Sequence, residues 1–234
     1  MGAPTQNPPK FVIDALKKAL DDKGVHTYSN PKGEKFFLEA CAKRMENRFG
    51  VKLDPSTEIC SLIGSKEGLA NLFRGLCNPT LVEKDKDIIM IPDPGYASYK
   101  EMIKVSGGLA YPIALKAENN YMPDLEEVLA KLIKDGYNPK KVKGVVINYP
   151  NNPLGATANK KYLESVVAFC KKHNIYVAMK KVAGWLFVFS IPAFILDIWA
   201  PFYQNNSSDS LSIAMCTIIV SAIWWLTMKL ILFI

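Results

Sequence analysis

The sequence predicts an α/β protein with a mostly parallel sheet and flanking helices, followed by a C-terminal hydrophobic hairpin of two helices. Short apolar runs alternate with amphipathic stretches of about ten residues up to residue 179, which is typical of βαβ units. After Lys181 charged residues almost disappear, and only three are found in residues 182–234. We therefore divide the chain into a first part, residues 1–181, and a second part, residues 182–234.

The first part opens with two predicted helices. In the first helix the apolar residues between Phe11 and Leu20 recur at helical spacing after a Pro-Pro pair. The second helix is expected to end at Gly50, because glycine readily adopts the left-handed conformation that closes helices. A short apolar run at 59–63 predicts a strand, and a third helix is predicted at 67–76.

Strands and helices then alternate regularly. The apolar runs are too short for helices and are rich in Ile and Val, which favours buried strands. Such an order predicts a sheet whose parallel strands are connected by helices. Strands are predicted at 87–91, 109–114, 144–148 and 175–179, and helices at 96–105, 125–134 and 160–172.

The second part contains two stretches, 182–203 and 211–234, that are each long enough to span a bilayer. At 1.5 Å per residue, 22 residues cover slightly more than the bilayer core of about 30 Å. Four lysines between residues 171 and 181 precede the first stretch, which predicts that the first part lies on the cytoplasmic side of a membrane. The alternative is that both stretches form the buried core of a soluble protein.

The positive charge of the chain lies in its first part. The whole chain carries +7 and the second part −1, so that the first part carries +8, which favours anionic ligands. No basic stripe interleaved with aromatic residues and no zinc-finger spacing is present, and we expect no nucleic-acid partner. Two histidines and the lack of a CxxC pair predict no metal site.

Four motifs carry the chemistry of the first part. The second motif, GSKEG (64–68), leads into a predicted helix, where free N–H groups and the helix dipole favour a phosphate. Ser65 would add a hydroxyl and Lys66 a charge, although a motif of this kind by itself is more often an ordinary helix cap. Tyr96 follows a strand end, where open α/β sheets bind ligands. The motifs are YSNPKG (28–33), GSKEG (64–68), DPGYASY (93–99) and NYPNNPLG (148–155).

Together, and in this order, the motifs resemble the fold-type I aminotransferases of class I and II, which use pyridoxal phosphate. The second and third motifs are most similar to the diaminopimelate aminotransferase branch. The resemblance covers about residues 1–177 and implies a partial aminotransferase large domain that acts on an amino acid and a 2-oxo acid. It implies phosphate contacts from Ser65, Lys66 and, across a homodimer interface, Tyr28, ring contacts from Tyr96 and Asn152, and a substrate contact at Gly2.

The sequence departs from this family where the catalytic groups are expected. The family has an aspartate under the pyridine nitrogen after the strand that matches 175–179, and an ungapped match puts Lys180 there. A cation at that position opposes protonation of the ring nitrogen. The Schiff-base lysine should follow about thirty residues later, but Lys229 is the one lysine after Lys181. We therefore assign no catalytic residue and expect an inactive chain.

Three other interpretations stay open. The chain could be a membrane-anchored pseudoenzyme that binds the cofactor, or the dimer surface of a full-length relative, without turnover. It could be a small membrane protein whose first part is only a scaffold. It could also be a truncated or mis-spliced product. In each case we expect the hydrophobic tail not to supply further strands in register, which would leave an open sheet edge.

Overall fold

The computed structural model describes residues 7–180 and 186–189, of which residue 180 and the last four are described as backbone. The described residues belong to two compact units. One unit runs up to Gly64, and the other begins at Ser65 and contains the sheet.

The first unit is helical. It contains α1 (Lys10–Ala19), a 3₁₀ turn (Lys23–His26) and α2 (Lys35–Phe49). Gly50 closes α2 with a φ of 69°, and its N–H donates to the Glu46 carbonyl oxygen over 2.9 Å. The predicted helix end at this glycine is therefore confirmed.

The strand predicted at 59–63 is wrong, since no residue of this segment is in a strand. A strand needs a neighbour that exchanges a series of main-chain hydrogen bonds. Here the Ser61 N–H donates to the Lys32 carbonyl oxygen over 2.8 Å, which ties the segment to a loop. That loop approaches closely, because a Cβ atom at Gly33 would lie 2.5 Å from the Ser61 Oγ atom.

The second unit contains a five-stranded sheet in the order β2-β1-β3-β4-β5. The first four strands in this order are parallel, as the sequence predicts. The strands are β1 (Ile88–Asp93), β2 (Leu109–Ala114), β3 (Val142–Ile147), β4 (Tyr176–Lys180) and β5 (Leu186–Phe189).

Four helices cover the sheet: α3 (Ser65–Leu76), α4 (Ser98–Val105), α5 (Leu125–Lys134) and α6 (Lys160–His173). The side chains of α5 and α6 pack in one apolar cluster, and those of α3 and α4 pack in another. Because successive side chains of a strand face opposite sides, each buried strand contributes to both clusters. The first cluster receives Ile88, Met90, Val145, Ile147, Val177 and Met179, and the second receives Ile89, Val146 and Ala178.

The side on which the chain adds the next strand to the sheet reverses at β1. From β1 the chain proceeds through α4 to β2 on one side, whereas β3 and β4 lie on the other side of β1. The helices that follow β1 and β3, α4 and α6, belong to opposite faces. The loops after these strands therefore lead to opposite faces of the sheet. In open α/β proteins the crevice at such a point, outside the carboxyl ends of the strands, is where ligands bind.

β5 corrects the prediction for the second part of the chain. Residues 186–189 were expected within a membrane helix at 182–203, but they pair antiparallel with β4, with Val177 opposite Phe189. The edge of β4, which was expected to stay open, is therefore paired over four residues. Strand pairing uses main-chain groups, and a Leu-Phe-Val-Phe run suits a strand as well as a membrane helix. An antiparallel neighbour also needs only a short connection.

The remaining residues of both predicted spans, including all of 211–234, lie outside the described residues. Among the helices that the structure does describe, the longest has 15 residues, and none is both long and apolar enough to cross a bilayer.

A buried carboxylate joins three elements at the amino end of the sheet. Asp87, which directly precedes β1, accepts hydrogen bonds from the Asn78 N–H over 2.9 Å and from Asn78 Nδ2 over 3.0 Å. Lys143 of β3 places Nζ 3.6 Å from Asp87 Oδ1. Burial opposes ionisation of this carboxyl, but the Asn78 hydrogen bonds and the nearby lysine charge outweigh it, so that the pKa of Asp87 is lowered.

Candidate functional site

The amino end of α3 supplies the first group of the candidate site. Ser65 is the first residue of this 12-residue helix and is half-buried, whereas Lys66 is exposed. The first N–H groups of a helix have no partner within the helix, and together with the helix dipole they favour an anion. Lys66 extends towards the second group of the site, since its Nζ atom lies 5.6 Å from the centre of the Tyr96 ring.

Tyr96 follows β1 and is held by a buried neighbour. Its ring meets the Tyr99 ring edge to face, with centroids 5.5 Å apart and an interplanar angle of 76°. Tyr99 is 0% exposed, and burial, with a smaller contribution from Tyr96, raises its pKa. Since Tyr99 belongs to the core under α4, the position of the Tyr96 ring is fixed by packing rather than by the loop alone.

The loop that carries Tyr96 requires a glycine. A Cβ atom at Gly95 would lie 2.2 Å from the carbonyl oxygen of Pro92, which is far inside the contact distance of any side chain. The loop therefore folds back closely on the end of β1. The peptide bond between Asp93 and Pro94 is cis.

The turn after β3 supplies the third group and contains three asparagines. Asn148 and Asn151 are buried, with 2% and 3% of their surface exposed, whereas Asn152 is exposed. The Oδ1 atom of Asn148 accepts a hydrogen bond from the Asn152 N–H over 3.2 Å. The turn thus leaves Asn152 exposed beside two buried asparagines.

One hydrogen bond connects this turn with the loop of Tyr96. Asn151 Nδ2 donates to the Pro94 carbonyl oxygen over 3.3 Å. Together with the contact between Lys66 and Tyr96, it brings four of the predicted site residues to the carboxyl ends of β1 and β3. These four are Ser65, Lys66, Tyr96 and Asn152.

Two predicted residues are not part of this group. Tyr28 belongs to the first unit and its side chain is fully exposed. Gly2 lies outside the described residues. Conversely, the sequence did not single out Asn148 and Asn151. Polar residues within a run of turn formers were the only signal, and the sequence alone does not tell which of three asparagines is buried.

Comparison with known proteins assigns the family. The model of the family "Aminotransferase class I and II" matches residues 1–179. LL-diaminopimelate aminotransferase 2 of Trichormus variabilis is 39% identical over 176 residues, which are 75% of this chain and 42% of that protein. LL-diaminopimelate aminotransferase of Aquifex aeolicus is 37% identical over 178 residues, 76% of this chain and 43% of that protein.

Solved structures are also similar to this chain over about three quarters of its length. Apo-BacF of Bacillus subtilis superposes with a TM-score of 0.66 at 33% identity, covering 76% of this chain and 44% of that one. Aspartate aminotransferase of Thermus thermophilus with maleate gives a TM-score of 0.66 at 28% identity, covering 78% and 44%. The chain thus spans less than half the length of these relatives. It belongs to the class I and II aminotransferases, a family of fold-type I enzymes that depend on pyridoxal phosphate.

Proposed function

We propose that this chain binds pyridoxal phosphate at the crevice between β1 and β3 and does not by itself transfer amino groups. One observation carries the proposal: a helix amino end, an aromatic ring and an exposed amide lie near one another at the carboxyl ends of β1 and β3, where the strand order reverses. Each group has the chemistry that one part of the cofactor requires.

The amino end of α3 fits the phosphate. A phosphate group near neutral pH carries close to two negative charges, and a helix amino end stabilises such an anion by about 0.3–1 kcal/mol. Glu67 also lies in the first turn of α3, where its carboxylate repels an anion. We therefore expect the positive charge of Lys66 to contribute more than the hydroxyl of Ser65. A charge-assisted hydrogen bond is worth about 1.5–3 kcal/mol.

Tyr96 and Asn152 fit the ring. The ring of Tyr96, supported by Tyr99, offers a rigid aromatic surface for stacking on a pyridine. The exposed side-chain amide of Asn152 can donate a hydrogen bond to a ring oxygen. When bound, pyridoxal phosphate supplies an electron sink for bond breaking at the substrate Cα. The residues of this chain would bind and orient it.

The catalytic step has no evident residue in this sequence. Lys180 closes β4, at the position where the resemblance requires an aspartate under the pyridine nitrogen. A lysine there disfavours the protonated ring that the chemistry needs. Residues 182–234 contain a single lysine, Lys229. These two features of the sequence support binding without turnover.

Substrate, oligomer and membrane association are further proposals. By family, the substrate class is an amino acid paired with a 2-oxo acid, and the named relatives act on LL-diaminopimelate. The exposed Tyr28 would reach the phosphate of a partner chain in a homodimer.

The nearly charge-free residues 211–234 support attachment to a membrane. If they do attach it, the full chain will stay in the membrane fraction after a high-salt wash and leave it in detergent.

Binding is tested with pyridoxamine phosphate, because its amine cannot attach to surface lysines as the aldehyde of pyridoxal phosphate does. The full chain should bind pyridoxamine phosphate at least tenfold more tightly than pyridoxamine, and Lys66→Ala should remove most of the difference. Lys161→Ala is the matched control, because Lys161 is likewise the second residue of a helix and is exposed. Equal affinity for both ligands would refute binding at this site.

A further inference from the structure

β1 and β3 are neighbours in the sheet, but their pairing ends before β1 does. The paired positions of these two strands end with Met90 opposite Val145. The pairing of β1 with β2 continues to Asp93 opposite Ala114. The two loops that carry Tyr96 and the asparagine turn therefore leave the sheet without strand pairing to hold them together, and another contact must set their distance.

Asn151 makes this contact, and its side-chain oxygen and both main-chain groups are also hydrogen-bonded. Its Nδ2 atom donates to the Pro94 carbonyl oxygen over 3.3 Å, and its Oδ1 atom accepts from the Leu154 N–H over 3.1 Å. Its main-chain N–H donates to the Ala156 carbonyl oxygen over 2.7 Å, and its carbonyl oxygen accepts from the Gly155 N–H over 2.8 Å. The side chain is 3% exposed, so water competes little for these bonds.

We infer that Asn151 is a positioning residue that sets the distance between the Tyr96 ring and the Asn152 amide. Pro94 stands two residues before Tyr96, and Asn152 follows Asn151 directly. The bond from Asn151 to Pro94 therefore joins the two ring-binding groups by a short path across the crevice. Asn148 fixes the other end by accepting the Asn152 N–H. This inference rests on the proposed function, because the positioned groups, the Tyr96 ring and the Asn152 amide, would contact the cofactor ring.

The role requires an amide, because the side chain must donate across the crevice and accept within its own turn. Asn151→Asp keeps an acceptor for the Leu154 N–H but places a carboxylate oxygen against the Pro94 carbonyl oxygen, with no proton between them. It therefore removes the link between the loops and retains the link within the turn. Asn151→Ala removes both and serves as the second variant if the buried carboxylate prevents folding.

The first arm of the test needs no ligand. Hydrogen–deuterium exchange of the full chain is compared between the natural protein and Asn151→Asp. Loss of one buried hydrogen bond should speed exchange in residues 93–99 about tenfold, with no change in α5. The matched control is Asn138→Asp, because Asn138 is exposed in the segment before β3 and its side chain accepts a hydrogen bond from the Lys140 N–H over 3.0 Å. It should exchange like the natural protein.

The second arm compares two ligands. Asn151→Asp should bind pyridoxamine phosphate about tenfold more weakly and inorganic phosphate as well as before, because only the ring needs both loops. Unchanged exchange in residues 93–99 would overturn the inference, as would equal weakening of both ligands or loss of folding in both variants, which indicate a purely structural role. If the natural protein fails to bind pyridoxamine phosphate, the proposed function fails, while the exchange arm still decides whether Asn151 links the loops.

Discussion

Replacement of Asp87 by asparagine should destabilise the second unit in a manner that depends on pH. The substitution keeps the size of the side chain and removes its charge. The carboxylate now accepts both hydrogen bonds of Asn78, at 2.9 and 3.0 Å, and its side chain is 3% exposed. It also faces Lys143 at 3.6 Å, a side chain that is 37% exposed.

The magnitude follows from these contacts. A hydrogen bond to a charged acceptor contributes about 1.5–3 kcal/mol and a neutral one about 1 kcal/mol, so each of the two bonds loses about 1 kcal/mol in Asp87→Asn. The ion pair with the partly exposed Lys143 adds less than about 1 kcal/mol. Burial of the charge, which the neutral asparagine relieves, offsets part of this loss. We expect the free energy of unfolding at pH 7 to fall by about 1–2 kcal/mol.

The pH dependence has a definite sign. Burial, the largest single effect, raises the pKa of Asp87. The hydrogen bonds from Asn78 and the nearby lysine charges together outweigh burial, so that the pKa is lowered in the folded protein. A lowered carboxyl pKa stabilises the fold above the unfolded pKa of about 3.9, and this contribution is lost as the pH falls through the folded pKa. The difference between natural protein and variant should thus be complete at pH 6 and should shrink below about pH 4.

Urea unfolding of the full chain in mild detergent, followed by circular dichroism, measures this difference in the free energy of unfolding at pH 6 and at pH 3. Asp85→Asn is the control, because it removes the same charge from an exposed position two residues away. It should change the free energy of unfolding by less than about 0.5 kcal/mol. A loss in Asp87→Asn no larger than in the control, or a loss that stays constant down to pH 3, would refute the role given to this carboxylate.

Three further predictions concern the site and the surface. Gly95→Ala puts a Cβ atom 2.2 Å from the Pro92 carbonyl oxygen, so the loop must shift; we expect a cost of about 1–3 kcal/mol in thermal unfolding and weaker binding of pyridoxamine phosphate. Unaltered binding would show that the loop does not shape the site. Tyr96→Phe should bind this ligand almost as well as the natural protein, whereas Tyr96→Ala should lose about 0.5–1.5 kcal/mol, as measured by calorimetry. Glu126→Gln should leave the free energy of unfolding within about 0.5 kcal/mol, because the pair with Lys172 at 2.8 Å is solvent-exposed; a larger loss in urea unfolding would contradict this.

The sequence predicted the sheet well because its strands are buried on both faces. A strand covered by helices on both sides must be apolar along its whole length, which makes runs such as 144–148 easy to recognise. Boundaries were less accurate: β1 was predicted at 87–91 and is Ile88–Asp93, because pairing with β2 continues through Pro92. The start of α3 was also off by two residues, since the helix already begins at Ser65, whereas its end at Leu76 was predicted correctly.

The errors have a common physical cause, which is that pairing partners are not encoded locally. Residues 59–63 have the composition of a strand but contact a loop. Residues 186–189 have the composition of a membrane helix but pair with β4. In the site, the motifs located Ser65, Lys66 and Tyr96, yet the buried role of Asn151 depends on a contact with a residue 57 positions away, which no local pattern reveals.

The central claim, that this chain retains a cofactor site without the groups for turnover, is tested most directly by one titration. The full chain is titrated with pyridoxamine phosphate and with pyridoxamine, and the same sample is then supplied with a 2-oxo acid. We predict binding that depends on the phosphate and no formation of the amino acid above the rate of free cofactor. Equal affinity for the two ligands would contradict the site, and amino-acid formation above that rate would contradict the absence of turnover.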